Sequence, residues 1–458
     1  MILYRRMFYV LGVIFLALAT AMVIPAILDF TQNRGVCFLV AGTFCCFIGG
    51  LLFFSYRTHE TLNLKERILV MLFAWSSVPI LSSIPLLTSG PDMAPLDCIF
   101  EMASALTTTG ASVISDSLSE GLLLWRSLLQ LFGCAGVAVS WLYVFPYFLS
   151  TTDVCGYGRA SSWPLQTVMF VYLSIMLVGS FLLMESGMSA VDALCCVLDS
   201  ISSGGISGIH PSTGFWLLVP AIMMFISGLP ITLLRNLSVN GITALRDPQF
   251  ICYVLIISIV TVFFTIYQIL FSDGSVVACL QRALLTTVSS MTTTDIRLDE
   301  SAPLVASCFQ LLGFCGGGLG SCGGGVKIFR LIMTYMILKG YFIRLVKNNA
   351  VYVPTYAGKK LEESDITGLF SYFLSYLFFA LLASLVLVYL DVDFGKALSV
   401  VLTSCNNDGP FWGLHRMTAS EIAVLAPSVK IILIISMIVG RVEFISFFVI
   451  FTKIFWKK

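Results

Sequence analysis

The chain has 458 residues, of which 58% are hydrophobic and only 11% charged, with a mean hydropathy of +0.95 and a formal net charge of +1. Soluble domains carry roughly 25% charged residues and about half apolar ones, so this composition excludes a soluble globule and requires lipid to cover the apolar surface. With the charges balanced, no global field points to nucleic acid as a partner.

Arg5 and Arg6 precede an apolar run from Met7 to Leu28. That run is longer than a signal-peptide core of roughly 7–15 residues, and similar runs follow it, so it reads as a first transmembrane helix. A spanning helix needs about 20 mostly apolar residues. Runs of that kind lie at 7–28, 36–56, 67–88, 122–149, 165–185, 214–237, 250–271, 303–340, 367–390 and 423–452, which makes ten expected spans. Four apolar stretches are too short to cross: 95–107, 190–201, 277–291 and 394–404. Each ends in Ser, Thr, Asn and Gly. Irregular backbone is not tolerated against lipid, so these read as re-entrant helices followed by polar loops buried in protein.

From residue 67 the order span, short helix, loop, span recurs four times at a spacing near one hundred residues, the mark of internal duplication. The expected fold is an all-α polytopic membrane protein with ten transmembrane helices and four re-entrant pore helices. Its parts are an extra helix pair (1–60) and repeats at 61–150, 151–245, 246–350 and 351–458.

Lys and Arg fall on one side of this scheme: Arg5, Arg6, Arg57, Lys65, Arg67, Arg159, Arg235, Arg246, Arg330, Lys339, Arg344, Lys347, Lys359, Lys360 and Lys453 among them. The positive-inside rule makes that side, and both termini, cytoplasmic. The opposite side carries Asp29, Asp92, Asp116, Glu120, Asp299, Glu300 and Glu421, acids that would attract cations to an outer mouth. Most of the cysteines lie in apolar runs and read as small packing residues. His59, His210 and His415 are scattered among loops rather than grouped as metal ligands.

The four loops read Thr107-Thr108-Thr109-Gly110, Ser202-Ser203-Gly204-Gly205, Thr292-Thr293-Thr294-Asp295 and Asn406-Asn407-Asp408-Gly409. A dehydrated cation needs a cage of oxygens, which rings of backbone carbonyls supply. Gly permits the positive φ that turns successive carbonyls toward one axis. Helix-capping turns would explain any one loop, but not four non-spanning helices on one side. The third loop has Asp295 where its counterparts have Gly, so either the side chain points away from the axis or the ring is distorted and less selective. Asp408 either caps its own turn or brings a second carboxylate near the ions.

Seven glycines in ten residues, with Gly316, Gly317, Gly318, Gly320, Gly323, Gly324 and Gly325 leading to Lys327, would unwind the long 303–340 segment. A GxGxxG match at 318–323 is rejected as a dinucleotide site because apolar segments flank it on both sides. Unwound backbone at membrane depth is tolerated where it is buried or lines a cavity, which suits a flexible plug beneath the loops. Arg441 lies within an apolar run and is expected either to face the pore as a barrier or to pair with an acid on another helix. Glu443, two residues away, is on the wrong face of a helix to be its partner.

Residues Leu106–Ser112 followed by Glu120–Arg126, the Arg246-Asp247-Pro248-Gln249-Phe250 junction, the Gly-rich run from Phe314 to Arg330, and Gly440-Arg441-Val442-Glu443 together resemble the potassium-uptake subunits of the Trk/Ktr/HKT superfamily, of the bacterial TrkH type. The resemblance runs in order through nearly the whole chain. It implies potassium uptake across the inner membrane, gated at the Gly-rich loop, with no cofactor and no catalysis. It also implies a homodimer and a cytoplasmic nucleotide-binding ring of the TrkA/KtrA type. The alternatives are a sodium-permeable or poorly selective transporter, on account of Asp295, a membrane-embedded enzyme, for which no nucleophile, base or metal constellation is evident, and a non-conducting scaffold.

Overall fold

The computed structural model describes residues 2–30, 35–58, 60–114, 118–144, 165–205, 214–230, 232–233, 236–237, 241–271, 275–294, 296, 303–347, 352–357, 359–409, 411–412 and 415–457. Among these, six helices are long and apolar enough to cross a membrane: Tyr4–Leu28, Gly35–Ser55, Leu64–Ser89, Glu120–Trp141, Pro248–Phe271 and Glu363–Tyr389. The surface of the molecule is apolar where a soluble protein's would be polar. Ile251, Leu255, Ile259, Phe263 and Leu270 face outward along one helix, and Phe370, Leu374, Phe378 and Leu385 along another, while many Ser and Thr are buried among the apolar side chains of the interior. Such a continuous apolar exterior is stable only against lipid.

The first two spans pack closely because glycines let the backbones meet. A side chain on Gly12 would stand 2.9 Å from the Gly49 carbonyl, and one on Gly49 would stand 3.0 Å from the Gly12 carbonyl. This pair is pinned to the rest of the bundle by Asp29. Its carboxylate is fully buried and accepts hydrogen bonds from Ser119 Oγ (2.6 Å) and the Gly121 amide (2.9 Å). Asp29 therefore does not belong to an acidic outer mouth as the sequence reading expected. Asp116, Asp299 and Glu300 lie outside the described residues.

The four expected short helices are present as Pro95–Leu106, Ala190–Ser202, Val276–Met291 and Phe394–Asn406. Their lengths of 12 to 16 residues correspond to roughly 18–24 Å, short of the ~30 Å hydrocarbon core. Local chemistry sets where each begins. Pro95 occupies the first turn of one, and Ser189, Ser275 and Asp393 cap the others by accepting from amides two or three residues on.

Three long apolar runs are not continuous helices. The 303–340 run divides into Pro303–Cys315 and, beyond the Gly-rich segment, Ile328–Val346. The 214–237 run forms a 3-10 turn and then Leu218–Ser227, ending before Pro230. The 423–452 run, read as a single span, breaks at Glu443, which takes φ +70° between Pro427–Val442 and Phe444–Val449. The break lets Glu443 reach Arg330, 113 residues away, with both carboxylate oxygens at 2.9 Å. Arg330 is thus a buried partner, 5% exposed and stacked 3.6 Å from the Tyr372 ring centroid, and not the cytoplasmic loop charge that the sequence suggested.

At one end of the bundle the basic residues gather. Arg5 donates to the Arg57 carbonyl, Lys65 to the Lys457 carbonyl and Arg67 to the Tyr143 carbonyl. A small hairpin pairs Thr355 with Lys360 and Tyr356 with Lys359. Its Tyr356 is buried, packs edge-on to Phe329 and donates to Asp247 Oδ1 at 2.9 Å.

Candidate functional site

The four short helices end in the same backbone figure. In each, a non-glycine residue just past the last turn is left-handed: Thr108 (φ +52°), Ser203 (+60°), Thr293 (+58°) and Asn407 (+52°). The next amide but none then bonds back over five residues: Thr109 to the Ser104 carbonyl, Gly204 to Asp199, Thr294 to Ser289 and Asp408 to Thr403, at 2.9–3.0 Å. Two residues beyond each left-handed position comes Gly110 (+80°), Gly205 (+57°) or Gly409 (+73°). The third counterpart, Asp295, lies outside the described residues. A left-handed β-branched residue such as Thr108 or Thr293 is costly, about 1–2 kcal/mol. Its recurrence at matched places shows that tertiary packing imposes the turn.

The loops meet edge to edge. A side chain on Gly110 would stand 2.7 Å from the Gly204 carbonyl, and one on Gly205 would overlap the Thr294 carbonyl. Asn407 Nδ2 donates to Thr109 Oγ1 at 3.0 Å, joining the fourth loop to the first across 298 residues of sequence. Between the third and fourth loops runs the Gly-rich segment. Its Gly324 amide donates to Thr293 Oγ1 (2.7 Å) and its Gly325 amide to the Asn406 carbonyl (2.9 Å). The ring closes in chain order.

The leading hydroxyl of three of the loops is turned back onto the helix that carries it. Thr107 Oγ1 donates to the Ala103 carbonyl (2.7 Å), Thr292 Oγ1 to Val288 (2.9 Å) and Ser202 Oγ to Leu198 (2.7 Å). Two carbonyls at the helix ends are also engaged, Thr107 by Arg441 Nε (2.6 Å) and Asn406 by the Gly325 amide (2.9 Å). The Asp408 carboxylate packs against Gly313 of the Pro303–Cys315 helix, which has no side chain to block it.

The Gly-rich segment lacks helical bonding, and its amides are satisfied partly by neighbouring elements and partly within the segment. Gly318 donates to the Gly228 carbonyl (2.8 Å), Cys322 to Ser227 (3.3 Å), Leu319 to Gln249 Oε1 (3.0 Å) and Ile328 back to Gly317 (3.1 Å). Gly316, Gly320, Gly325 and Lys327 have positive φ. A side chain on Gly323 would press on the Thr292 carbonyl (2.8 Å), and one on Gly324 would overlap that of Asn406. The segment therefore lies directly against two of the four loops.

Two buried cations occupy its carbonyls. Lys327 Nζ donates to the Ser321 carbonyl (3.2 Å), Ser321 Oγ (3.1 Å) and the Gly323 carbonyl. Arg441 Nη1 donates to the Cys322 carbonyl (2.8 Å), its Nε to the Thr107 carbonyl (2.6 Å) and its Nη2 to Thr108 Oγ1. Arg441 thus clamps the first loop to the Gly-rich segment, and Glu443 is engaged by Arg330 instead.

Several supports gave little sequence signal. Glu101, fully buried in the first short helix, pairs with Arg126 (3.1 Å) and accepts from the Val113 amide (2.8 Å) and Ser112 Oγ, fixing the exit of the first loop. A carboxylate in a short apolar helix followed by a lone Arg in the next span was the available clue. Gln130 accepts from Ser202 Oγ (3.0 Å) beside Gly204. Lys430 bonds Asp97 at 2.5 Å. Cys134 and Cys322, 188 residues apart with Cα atoms at 5.0 Å, form a disulfide, where the sequence suggested only packing roles for cysteine.

Comparison with known proteins follows the same lines. The family model described as TrkH, cation transport protein, matches residues 35–207 and 245–458. The "Trk system potassium uptake protein TrkI" of Halomonas elongata is 26% identical over 98% of this chain and 96% of its own length. The "Trk system potassium uptake protein TrkH" of Salmonella typhimurium is 28% identical over 99% and 100%. The crystal structure of the potassium transporter TrkH from Vibrio parahaemolyticus superposes with a TM-score of 0.89 at 25% identity, covering 99% of this chain and all of that one.

Proposed function

The chain belongs to the TrkH family of cation transport proteins, and from that premise we propose that it carries potassium into the cell through the ring of four loops. The relatives named above are potassium uptake proteins. The observation that carries the reading is the common backbone figure at Thr108, Ser203, Thr293 and Asn407, with positive-φ glycine two residues on and lateral contacts around the ring. An ion entering from outside exchanges its water for carbonyls of Thr107–Gly110, Ser202–Gly205, Thr292–Asp295 and Asn406–Gly409. No bond is made or broken, so no catalytic group or cofactor is required.

In this reading the Gly-rich segment is the gate, shut in the conformation described. Lys327 and Arg441 are tethered cations held on the carbonyls of Ser321, Cys322, Gly323 and Thr107. An incoming potassium ion meets those charges as well as the segment itself. The finer architecture belongs to the proposal: ten spans and four re-entrant helices, repeats beginning near 61, 151, 246 and 351, and both termini cytoplasmic in the inner membrane. So do a homodimer and a nucleotide-binding cytoplasmic ring as gatekeeper. The hydrogen-bonded path from Tyr356 through Asp247 and Gln249 to Leu319 is a route by which a cytoplasmic partner reaches the gate.

The deciding experiment is rubidium uptake into proteoliposomes under sodium competition, for the wild type beside Asp295→Gly. Potassium-like selectivity in the wild type supports the reading and shows that Asp295 is compatible with a working ring. Sodium flux that the glycine converts to potassium selectivity makes Asp295 the determinant. Absence of flux in both overturns autonomous conduction by this chain.

A further inference from the structure

We propose that Cys134 and Cys322 are a thiol–disulfide switch that locks the Gly-rich segment across the pathway when oxidised and releases it when reduced. The inference rests on the gate reading above. Its two cysteines come from elements of opposite character. Cys134 sits on the Glu120–Tyr143 helix, next to Gly133, whose missing side chain lets the Leu106 carbonyl lie against the helix. That helix is held by Trp125, which is fully buried and donates to the Ser82 carbonyl (3.1 Å), and by the Arg126–Glu101 pair. It is a fixed wall. Cys322 belongs to the unwound segment, at the residue whose carbonyl receives Arg441.

Besides the charged contact of Arg441 with the Cys322 carbonyl, the segment is tied to its surroundings by neutral hydrogen bonds, among them Gly318 to Gly228, Cys322 to Ser227, Leu319 to Gln249, Gly324 to Thr293 and Gly325 to Asn406. Each is worth about 1 kcal/mol net and exchanges readily. Glycines at 316, 317, 318, 320, 323, 324 and 325 let the backbone adopt another course. A disulfide acts on a different scale, since it confines the two Cα atoms to roughly 4.4–6.8 Å. From the 5.0 Å described, the oxidised segment can draw back from the wall by only about 2 Å, too little to clear an ion. The bond therefore sits where it restrains the one part of the pathway that has to move. Other buried cysteines, such as Cys98, Cys195 and Cys405, are unpaired and lie within helices.

The oxidant must be small, because both sulphurs are buried, with Cys134 6% and Cys322 4% exposed. A peroxide meets that requirement. One thiolate attacks the O–O bond, giving a sulfenic acid and releasing hydroxide, which is protonated to water. The second thiolate attacks the sulfenic sulphur and displaces a second hydroxide. Two thiols lose two electrons and one peroxide becomes two waters. A small dithiol reverses the change by exchange through a mixed disulfide.

The test uses the full chain in proteoliposomes. Rubidium uptake is measured after dithiothreitol and after hydrogen peroxide, and alkylation with mass analysis reports the state of Cys134 and Cys322. Peroxide is expected to lower wild-type uptake at least tenfold and dithiothreitol to restore it. Cys134→Ser, with Cys134→Ala as the second variant, is expected to hold the reduced level under both treatments. A wild type whose pair is oxidised but whose uptake is unchanged overturns the switch and leaves a structural bridge. A pair that peroxide never oxidises overturns it too, as does a Cys134→Ser protein that still responds. Gly320→Ala/Gly323→Ala is measured alongside in dithiothreitol. If that variant alters uptake the gate reading stands by itself, and if it does not, the gate reading falls first.

Discussion

Replacing Arg441 by Gln removes a buried charge from the inner edge of the ring while keeping a side chain able to donate one hydrogen bond. The guanidinium Nε lies 2.6 Å from the Thr107 carbonyl oxygen. An ion on that same oxygen would stand about 5 Å from the charge, and at an effective dielectric of ~20 two unit charges at that distance repel by about 3 kcal/mol. Each 1.36 kcal/mol of barrier is tenfold in rate, so uptake is expected to rise on the order of 100-fold if passage through this position limits it. The assay is initial rubidium uptake per transporter in liposomes, beside Arg441→Lys, which keeps the charge and is expected to stay near the wild-type rate. Gel filtration and thermal unfolding verify that each variant is folded. Uptake for Arg441→Gln equal to or below the wild type, in a folded protein, refutes the barrier argument and leaves Arg441 as a strut between Thr107 and Cys322.

Glu101→Ala removes the carboxylate that Arg126 pairs with and the acceptor of the Val113 amide. Breaking a buried pair costs about 3–5 kcal/mol, so the melting temperature should fall by several degrees and potassium-over-sodium preference should collapse, read by thermal unfolding and competition uptake. Gly205→Ala drives a side chain into the Thr294 carbonyl at a residue with φ +57°. Uptake should disappear while the protein still elutes as folded, and wild-type uptake would remove Gly205 from the ring. Gln249→Leu deprives the Leu319 amide of its side-chain acceptor. A lost buried acceptor is worth about 1–3 kcal/mol, so uptake should increase about 5- to 100-fold through a less firmly held segment, and a decrease would contradict the tethering role.

Local patterning made much of this molecule legible. The apolar runs gave the six clear spans, and the runs too short to cross gave the four short helices to within a few residues. The density of glycine marked the unwound segment, because no helix tolerates seven in ten residues. What escaped lies in contacts between distant parts of the chain. Glu443 breaks its helix to hold Arg330, and nothing near either residue announces that pairing. Asp29 looks like a surface acid in sequence and is a buried anchor in the fold. The space for the Asp408 carboxylate is provided by Gly313, nearly a hundred residues earlier. The cysteine pair spans 188 residues, too far for any spacing rule.

The Asp29 anchor also bears on how the protein is made. The first helix pair leaves the ribosome well before Ser119 and Gly121, which follow Asp29 by 90 and 92 residues. Until the Glu120–Tyr143 span is inserted, the carboxylate has to stay hydrated at the bilayer surface, because an unpaired buried charge is costly. The N-terminal pair is thus synthesised first and docked late. A chain in which that later span fails to insert keeps a loose hairpin with a bare acid at its tip, a form that membrane quality control can tell from the assembled protein.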